Sequence, residues 1–264
     1  MKNKSPSRIF VNIIISLVFA LTIACEPKPI SEISPEDGIQ RIRTQHEKSN
    51  WEKVTTEVNE YRSRYPYTQY SIEAELLQAD AFFQSKRYPE AVAAYEEFQK
   101  KNPNHAKLPL AAFRIAKSYD AQSPEEIDRE QDAAFRAIDK FNQYLEKYPN
   151  SEWSAEAKDR ILVLRRRVAE NAIFVARFYW KKDKCQGALS RYLSIIEKYS
   201  SFADLYTEAI ERASNCYDIL ALQLEADSKS DLIFYFKNET PDSLRKKGRD
   251  IKSKQPVPAE PSIK

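Results

Sequence analysis

Glycine is scarce in this chain: 264 residues contain only Gly38, Gly187 and Gly248, which lie far apart. Loops that cradle phosphate groups, and the fingerprint of dinucleotide-binding folds, need several glycines close together, because the backbone must approach the ligand without a Cβ in between. The glycine content therefore excludes both kinds of nucleotide site.

Histidine is scarcer still. His46 and His105 stand among Gln, Glu, Asn and Lys, with no neighbouring cysteine or metal-spaced pair of carboxylates. Such partners are what a zinc site or a histidine-based catalytic centre requires. No nucleophile, base and orienting group can be assembled from the other residues either. The sequence therefore predicts no enzyme activity, no metal and no cofactor.

Basic and acidic residues are also balanced when the N-terminal residues 1–24 are left out of the count. The chain has 42 Lys and Arg against 39 Asp and Glu, and three of the bases but no acids lie in residues 1–24. Without those three bases the rest of the chain is neutral. A nucleic-acid-binding surface needs a basic excess on one face, so no nucleic-acid partner is predicted.

Only one long apolar run is present, and it lies at the N-terminus. Three basic residues, an apolar segment over residues 9–23, and then Ala24 and Cys25 follow in that order. This is the order of a secretory signal. A helix over that segment would rise only about 22 Å, short of the ~30 Å hydrocarbon core of a membrane. Residues 1–24 are therefore predicted to be a signal peptide rather than a spanning anchor.

The end of that run, "LTIAC" at residues 21–25, resembles the lipobox of bacterial lipoproteins. The resemblance implies that Cys25 is the lipidation site and becomes the mature N-terminus. A diacyl-plus-amide lipid holds a membrane better than one acyl chain does. Residues 25–33, in which Glu26 and two prolines follow Cys25, are predicted to be the lipidated tether. Glu26 alone does not decide between inner and outer membrane.

Beyond the tether the sequence repeats itself. The stretch "RYPEAVAAYEEFQKKNP" at 87–103 aligns with segments at 50–66, 132–149 and 184–200, with apolar columns spaced as on one face of a helix. A preceding helix repeats as well, with a small residue three positions before an aromatic ring, which lets two helices approach closely. These pairs are Ala79 and Phe82, Ala116 and Tyr119, Ala176 and Tyr179, and Ser214 and Tyr217.

This pattern resembles the 34-residue tetratricopeptide repeat. It predicts an all-α fold, a right-handed α-solenoid of about five tetratricopeptide-like helix pairs. The helix pairs are expected at about 34–66, 67–103, 104–149, 150–200 and 201–237.

The repeats are unequal. About nine extra residues, 123–131, separate the two helices of the third repeat and could form a short capped helix. Residues 151–180 contain no Pro or Gly, which predicts an extended first helix of about 30 residues in the fourth repeat. The arginines at 165–167 in its middle are read as a solvated face in preference to a docking patch. Residues 238–264 are basic, contain proline and are predicted to be a disordered tail.

Cys185 and Cys216 lie in adjacent repeats, and both occupy apolar columns. Two buried free thiols are favoured. An oxidising compartment could pair them, provided that their Cα atoms lie within about 7 Å. The sequence leaves both alternatives open.

The cysteine of the lipobox, the five repeats and the run "YLEKYPNSEWSAEAKDRILVLRRRVAENAIFVARFYWKK" together resemble the BamD family of lipoproteins, the ComL/YfiO type, over about residues 30–225. The resemblance implies a scaffold of the outer-membrane β-barrel assembly machinery, the BAM complex, lipid-anchored on the periplasmic side of the outer membrane. It implies docking of the C-terminal half on the periplasmic domains of a BamA-like barrel protein. It also implies other assembly lipoproteins and unfolded outer-membrane proteins as partners. The alternative is an adaptor lipoprotein of another envelope complex, for cell-wall synthesis or secretion.

The first helices of such repeats line a concave face, where an extended peptide can bind. Its aromatic residue would sit on Phe83 or Phe113, and its carboxylate would meet Lys117. The alternative is that both phenylalanines pack between repeats. The side chains predicted to bind protein or peptide are Asp80, Phe83, Phe113, Lys117, Asp120, Arg177, Trp180, Glu211 and Asn215.

Overall fold

The computed structural model describes residues 28–226, 236 and 238–254. The predicted signal peptide and Cys25 lie outside the described residues, and so does the end of the tail. The chain divides into two compact units, one up to Leu77 and one from Gln78 onward. Within the described part of the chain every regular element is helical and no strand occurs.

The prediction of an all-α fold of tetratricopeptide-like helix pairs is confirmed. A 3-10 turn at Ile30–Glu32 precedes the first helix, and successive helices alternate between the first and the second position of a pair. The α-helices described are α1 (Pro35–Glu47), α2 (Trp51–Arg64), α3 (Ser71–Gln84), α4 (Tyr88–Lys101), α5 (Leu108–Gln122), α6 (Asp132–Lys147), α7 (Ser154–Lys181), α8 (Cys185–Lys198), α9 (Ala203–Ala226) and α10 (Pro241–Lys252).

The extended helix of the fourth repeat is present as α7, which has 28 residues. Nothing in its sequence interrupts the backbone ladder, and its apolar residues keep helical spacing, so the helix continues well beyond the length of its neighbours.

The apolar columns of the repeats form the core. The column in the middle of each second helix, Val58, Tyr95, Phe141 and Tyr192, is completely buried. The small column of the first helices, represented by Ala79, Ala116 and Ala176, is equally inaccessible. Burying one such large side chain stabilises the fold by about 1.5–3 kcal/mol.

Three turns inside helix pairs share one backbone geometry. Ser49, Lys86 and Asp183 each have a positive φ, between 56° and 62°, and lie two residues before the second helix of their pair. The following amide bonds a carbonyl five residues back, as Lys184 does to Tyr179 at 3.0 Å. This left-handed helix end usually carries glycine. Here the turn is made without glycine, which accounts for part of the low glycine content.

Two junctions between repeats share one hydrogen-bond pattern. Within the second unit, the Tyr144 hydroxyl bonds the Ser151 hydroxyl, and Ser154 Oγ donates to the Tyr148 carbonyl at 2.9 Å. The first unit has the same pattern. There the Tyr61 hydroxyl bonds Thr68 Oγ1 at 2.9 Å, and Ser71 Oγ donates to the Tyr65 carbonyl at 3.0 Å. A buried tyrosine hydroxyl therefore anchors the loop into the next repeat, because an unpaired buried hydroxyl would be costly.

The tether prediction needs a correction for residues 28–33. Ile30 is fully buried in the first unit, and the Ser31 amide donates to Glu60 Oε1 at 2.9 Å. The Tyr65 hydroxyl donates to the Ile33 carbonyl. These residues are part of the fold because Ile30 can bury its side chain, which the neighbouring prolines obscured in the sequence.

The prediction of a disordered tail is wrong for residues 241–252, which form α10 against α9. Thr240 and Ser243 form a reciprocal capping box at its start. Leu244 and Ile251 are buried, and a Cβ on Gly248 would lie 3.2 Å from the Ser214 carbonyl oxygen. Glycine therefore favours this close approach. The basic composition hid a narrow apolar stripe.

Candidate functional site

Three of the predicted binding residues line one pocket within the second unit. The pocket has a volume of about 450 Å³ and lies between the end of α3, the end of α5 and the first half of α7. Its lining residues are Phe83, Tyr88, Lys117, Asp120, Ala121, Ser123, Glu125, Arg160 and Arg167.

Phe83 forms the aromatic wall of this pocket and is half-buried. The Arg114 guanidinium lies 4.4 Å from the centre of its ring, and the Tyr88 ring meets it edge-on with centroids 5.8 Å apart. A cation over one ring face and an aromatic edge at its side hold Phe83 in place. The pocket therefore has a preformed apolar wall onto which another ring can pack.

Lys117 supplies a cation that can exchange partners. Its Nζ lies 2.9 Å from Glu156 Oε1, which joins α5 to α7. Glu156 is exposed, and ion pairs of this kind contribute only about 0–1 kcal/mol. A carboxylate that enters the pocket can therefore replace Glu156 on Lys117 at little cost.

Asp120 is held within the pocket wall and is not free to contact a ligand. It is 8% exposed, and Arg160 of α7 donates two hydrogen bonds of 2.8 Å to its carboxylate. The bond to Asp120 raises the pKa of the Arg160 guanidinium. This neutralised pair joins α5 to α7 beneath Lys117, so it shapes the site without adding net charge.

Arg167 connects the pocket to the extra segment of the third repeat. Its NH1 donates to Ser123 Oγ at 3.0 Å and to the Pro124 carbonyl at 3.2 Å. Asn171 of the same helix donates to the Ile127 carbonyl at 2.7 Å. The segment is a series of bends and turns and not the short helix that was expected, because side chains of α7 take up its carbonyl groups.

The other two central arginines of α7 also bind neighbouring elements. Arg165 donates to the Lys198 carbonyl at 2.8 Å, and Arg166 donates to Asp204 as well as to Glu170 in α7. These arginines remain partly exposed, and the long side chains of Arg165 and Arg166 also tie α7 to the helices that follow.

Two predicted ligand residues have structural contacts instead. Phe113 is only 4% exposed and stacks on Trp153 with ring centroids 5.7 Å apart. It also contacts the rings of the next helix, so the alternative of packing between repeats holds for Phe113. The Asp80 carboxylate accepts a hydrogen bond from the buried Tyr95 hydroxyl.

The remaining predicted residues lie on α7 and α9, and none of them lines the pocket. Arg177 donates to Glu208 with two hydrogen bonds, one of them 2.8 Å from Nε to Oε1. The Arg212 guanidinium lies 4.8 Å from the centre of the Trp180 ring. Glu211 is exposed and Asn215 is half-buried. These side chains form a second, more open surface in the C-terminal half.

Sequence reasoning missed Arg114, Arg160 and Arg167 at the pocket. Repeat columns identify positions within one helix pair, but these arginines meet residues of another repeat. The only signal available was the length of α7 together with its basic middle.

Among the helices that the structure describes, none is both long and apolar enough to cross a membrane. Over the same residues, no group of three or more His, Cys, Asp or Glu side chains is placed to hold a metal ion.

Comparison with known proteins agrees with the fold. Residues 33–232 match the model of the YfiO family, whose description is outer membrane lipoprotein. Outer membrane protein assembly factor BamD of Caulobacter vibrioides is 23% identical over 81% of this chain and 68% of its own length. The proteins of the same name from Vibrio cholerae and Rickettsia prowazekii are 24% and 25% identical over 80% and 72% of this chain, and over 87% and 74% of their own lengths.

Since the family model spans well over half of the residues, this chain belongs to the YfiO family of outer membrane lipoproteins.

Proposed function

We propose that this protein is a non-enzymatic scaffold of the outer-membrane β-barrel assembly machinery, lipid-anchored through Cys25 on the periplasmic side of the outer membrane. Its membership of an outer membrane lipoprotein family supports the location, and relatives named as assembly factors support the role. The pocket of Phe83 and Lys117 carries the proposal, since it offers an aromatic wall and a cation to a peptide segment.

The pocket receives an extended segment of an unfolded outer-membrane protein. An aromatic side chain of that segment packs on Phe83, and a nearby carboxylate replaces Glu156 on Lys117. Because Asp120 and Arg160 neutralise each other, Lys117 is the group that selects the charge of the segment. This arrangement favours a segment with an aromatic ring beside an acid over a basic one.

Peptide binding tests this use of the pocket. A fluorescent peptide with one phenylalanine and one nearby carboxylate is titrated with the protein, and its anisotropy gives the dissociation constant. Phe83→Ala and Lys117→Met are each expected to weaken binding about tenfold, which corresponds to the loss of one stacking contact or one charge-assisted bond.

The matched control is Lys140→Met, which removes a comparable lysine whose Nζ lies 3.5 Å from Glu96 outside the pocket. Its affinity should equal that of the wild type. A second peptide, in which the carboxylates are amidated, should bind the wild type and Lys117→Met with the same affinity. Equal affinities for all three variants would place the peptide elsewhere.

The C-terminal half docks on the periplasmic domains of a BamA-like barrel protein, alongside other assembly lipoproteins. Phe174 and Phe178 of α7 support this, because they are 43% and 56% exposed, one helical turn apart. Exposed aromatic side chains that lie together are typical of protein-binding surfaces.

Affinity purification in mild detergent, through a tag after the last residue, tests the docking. The wild type should recover a polytopic β-barrel protein, and Phe174→Ser with Phe178→Ser should recover less than a tenth as much. The control is Leu222→Ser, at another exposed apolar residue on α9. Recovery of cell-wall or secretion proteins without any barrel protein would instead support the adaptor alternative.

A further inference from the structure

Cys185 and Cys216 meet between two neighbouring helices of the second unit. Cys185 is the first residue of α8, and Cys216 lies in α9, which packs against α8. Both side chains are buried in the same apolar core, both are free thiols, and they lie within hydrogen-bonding distance of each other. Leu220, one helical turn after Cys216 in α9, lines a cavity together with Cys185, which places this stretch of α9 beside the start of α8.

One of the two thiols can be approached from outside. A cavity of about 330 Å³ is lined by Cys185 together with Tyr179, Lys184 and Gln223, whereas Cys216 does not line it. A thiol or disulfide reagent that enters this cavity therefore meets Cys185 first. Cys216 lies behind it, in position to react second.

The surroundings also favour the thiolate form of Cys185. The hydrogen bond with Cys216 lowers the pKa of Cys185, although burial and Asp183 oppose this effect. Cys185 also begins a helix, where the helix dipole favours a negative charge. The same hydrogen bond and burial raise the pKa of Cys216. The two sulfurs thus have different roles, one as the attacking group and one as the resolving group.

We propose that Cys185 and Cys216 are a modification site, at which an external disulfide oxidises the pair to an intramolecular disulfide that locks α8 to α9. The Cys185 thiolate attacks one sulfur of the external disulfide and releases the other as a thiolate. Cys216 then gives up its proton and attacks the sulfur of Cys185, which displaces the second external thiolate. The pair loses two electrons and two protons, and the external disulfide gains both as two thiols.

This proposal relies on the export proposed above only for the source of its oxidant, a disulfide-bearing oxidant of the periplasm. The chemistry itself can be tested on purified protein with oxidised glutathione as the probe. A failed partner purification and a failed disulfide test are therefore separate results.

The test incubates the full mature lipoprotein, in detergent, with oxidised glutathione and quenches it with acid. Free thiols are alkylated under denaturing conditions and counted by mass spectrometry, before and after reduction. The wild type is expected to have no alkylated Cys185 or Cys216 before reduction and two after it. Cys216→Ser should instead retain glutathione on Cys185, whereas Cys185→Ser should react at least tenfold more slowly.

Thermal unfolding checks that the bond acts within the fold. The disulfide would close a loop of about 30 residues, so the oxidised wild type should melt about 5–10 °C above the reduced form. The double variant Cys185→Ala with Cys216→Ala should melt at one temperature with or without reductant. The proposal is overturned if both thiols of the wild type stay free in oxidised glutathione, or if Cys216→Ser gives no mixed disulfide.

Discussion

Arg160 of α7 binds Asp120 of α5 through two hydrogen bonds, each 2.8 Å long, although the two residues are 40 positions apart in the chain. The aspartate is buried, and the arginine is about one third exposed. A buried carboxylate in this position requires its partner, because desolvation of an unpaired charge is costly.

Replacing Arg160 with Met should therefore lower the free energy of unfolding by about 2 kcal/mol, since Asp120 would be left unpaired within the pocket wall. Urea denaturation followed by circular dichroism measures the change. The control is Lys117→Met, which breaks the more exposed pair with Glu156 and should cost less than about 1 kcal/mol. Equal losses in the two variants would contradict a special role for the buried pair.

Tyr95 and Tyr192 occupy the same column of two repeats, yet only Tyr95 has a hydroxyl partner among the described residues, Asp80. Burial raises the pKa of Tyr192 to about 12. Tyr192→Phe should therefore be neutral or stabilise the protein by up to about 1 kcal/mol, because it removes a desolvated hydroxyl.

Tyr95→Phe should lower stability by about 1–2 kcal/mol, since it leaves the Asp80 carboxylate without that donor. The column accepts phenylalanine, as Phe141 shows in the repeat between them, so both variants should fold. Thermal melting compares the two. A similar destabilisation in both would mean that the hydrogen bond to Asp80 contributes nothing.

Gly187 lies against the ring of Tyr179, and a Cβ at this position would be 2.9 Å from the Tyr179 Cδ1 atom. Gly187→Ala should lower the free energy of unfolding by about 1–2 kcal/mol, because the crowding outweighs the roughly 1 kcal/mol gained from helix propensity. Chemical denaturation measures the effect. Ser190→Ala, at an exposed site on the same helix, should stay within about 0.5 kcal/mol of the wild type. A more stable Gly187→Ala would show that the tyrosine ring moves aside.

The stability of α10 should fall in acid. Arg245 lowers the pKa of Glu225 through hydrogen bonds of 2.7 Å, and Lys247 with Ser243 lowers the pKa of Glu239. A lowered pKa in the folded state means that the stabilisation is present above the usual glutamate pKa of about 4.3 and is lost as the pH falls through the folded value. Hydrogen exchange of the α10 amides, corrected for intrinsic rate, should speed up below about pH 4.

Glu225→Gln with Glu239→Gln is the control for this effect. The double variant lacks both carboxylates, so its α10 amides should exchange faster at pH 6 and change little on acidification. If the wild type keeps its protection down to pH 3, these two pairs do not stabilise α10.

The extended helix shows how much of the fold could be predicted. Residues 151–180 lack Pro and Gly and keep apolar residues at helical spacing, and the helix observed is Ser154–Lys181. The error over residues 241–252 has the opposite cause. That segment is basic and has only a narrow apolar stripe, so the helix is stable only because it packs against α9.

The candidate site could be predicted only in part. Equivalent positions in the first helices of the repeats predict Phe83 and Lys117 as binding residues, and both line one pocket. Phe113 has the same kind of position but is covered by Trp153, which stands at the start of α7. The repeat pattern does not show whether an aromatic ring from another helix covers a given side chain.

The sequence by itself determined the repeats, most helices and the core columns, because these depend on local hydrogen bonds and on the spacing of apolar residues along one helix. The tertiary structure alone decided which polar side chains meet: Asp120 with Arg160, and Cys185 with Cys216. Such pairs depend on how two packed helices are positioned along each other, and the local sequence around each residue does not specify that position.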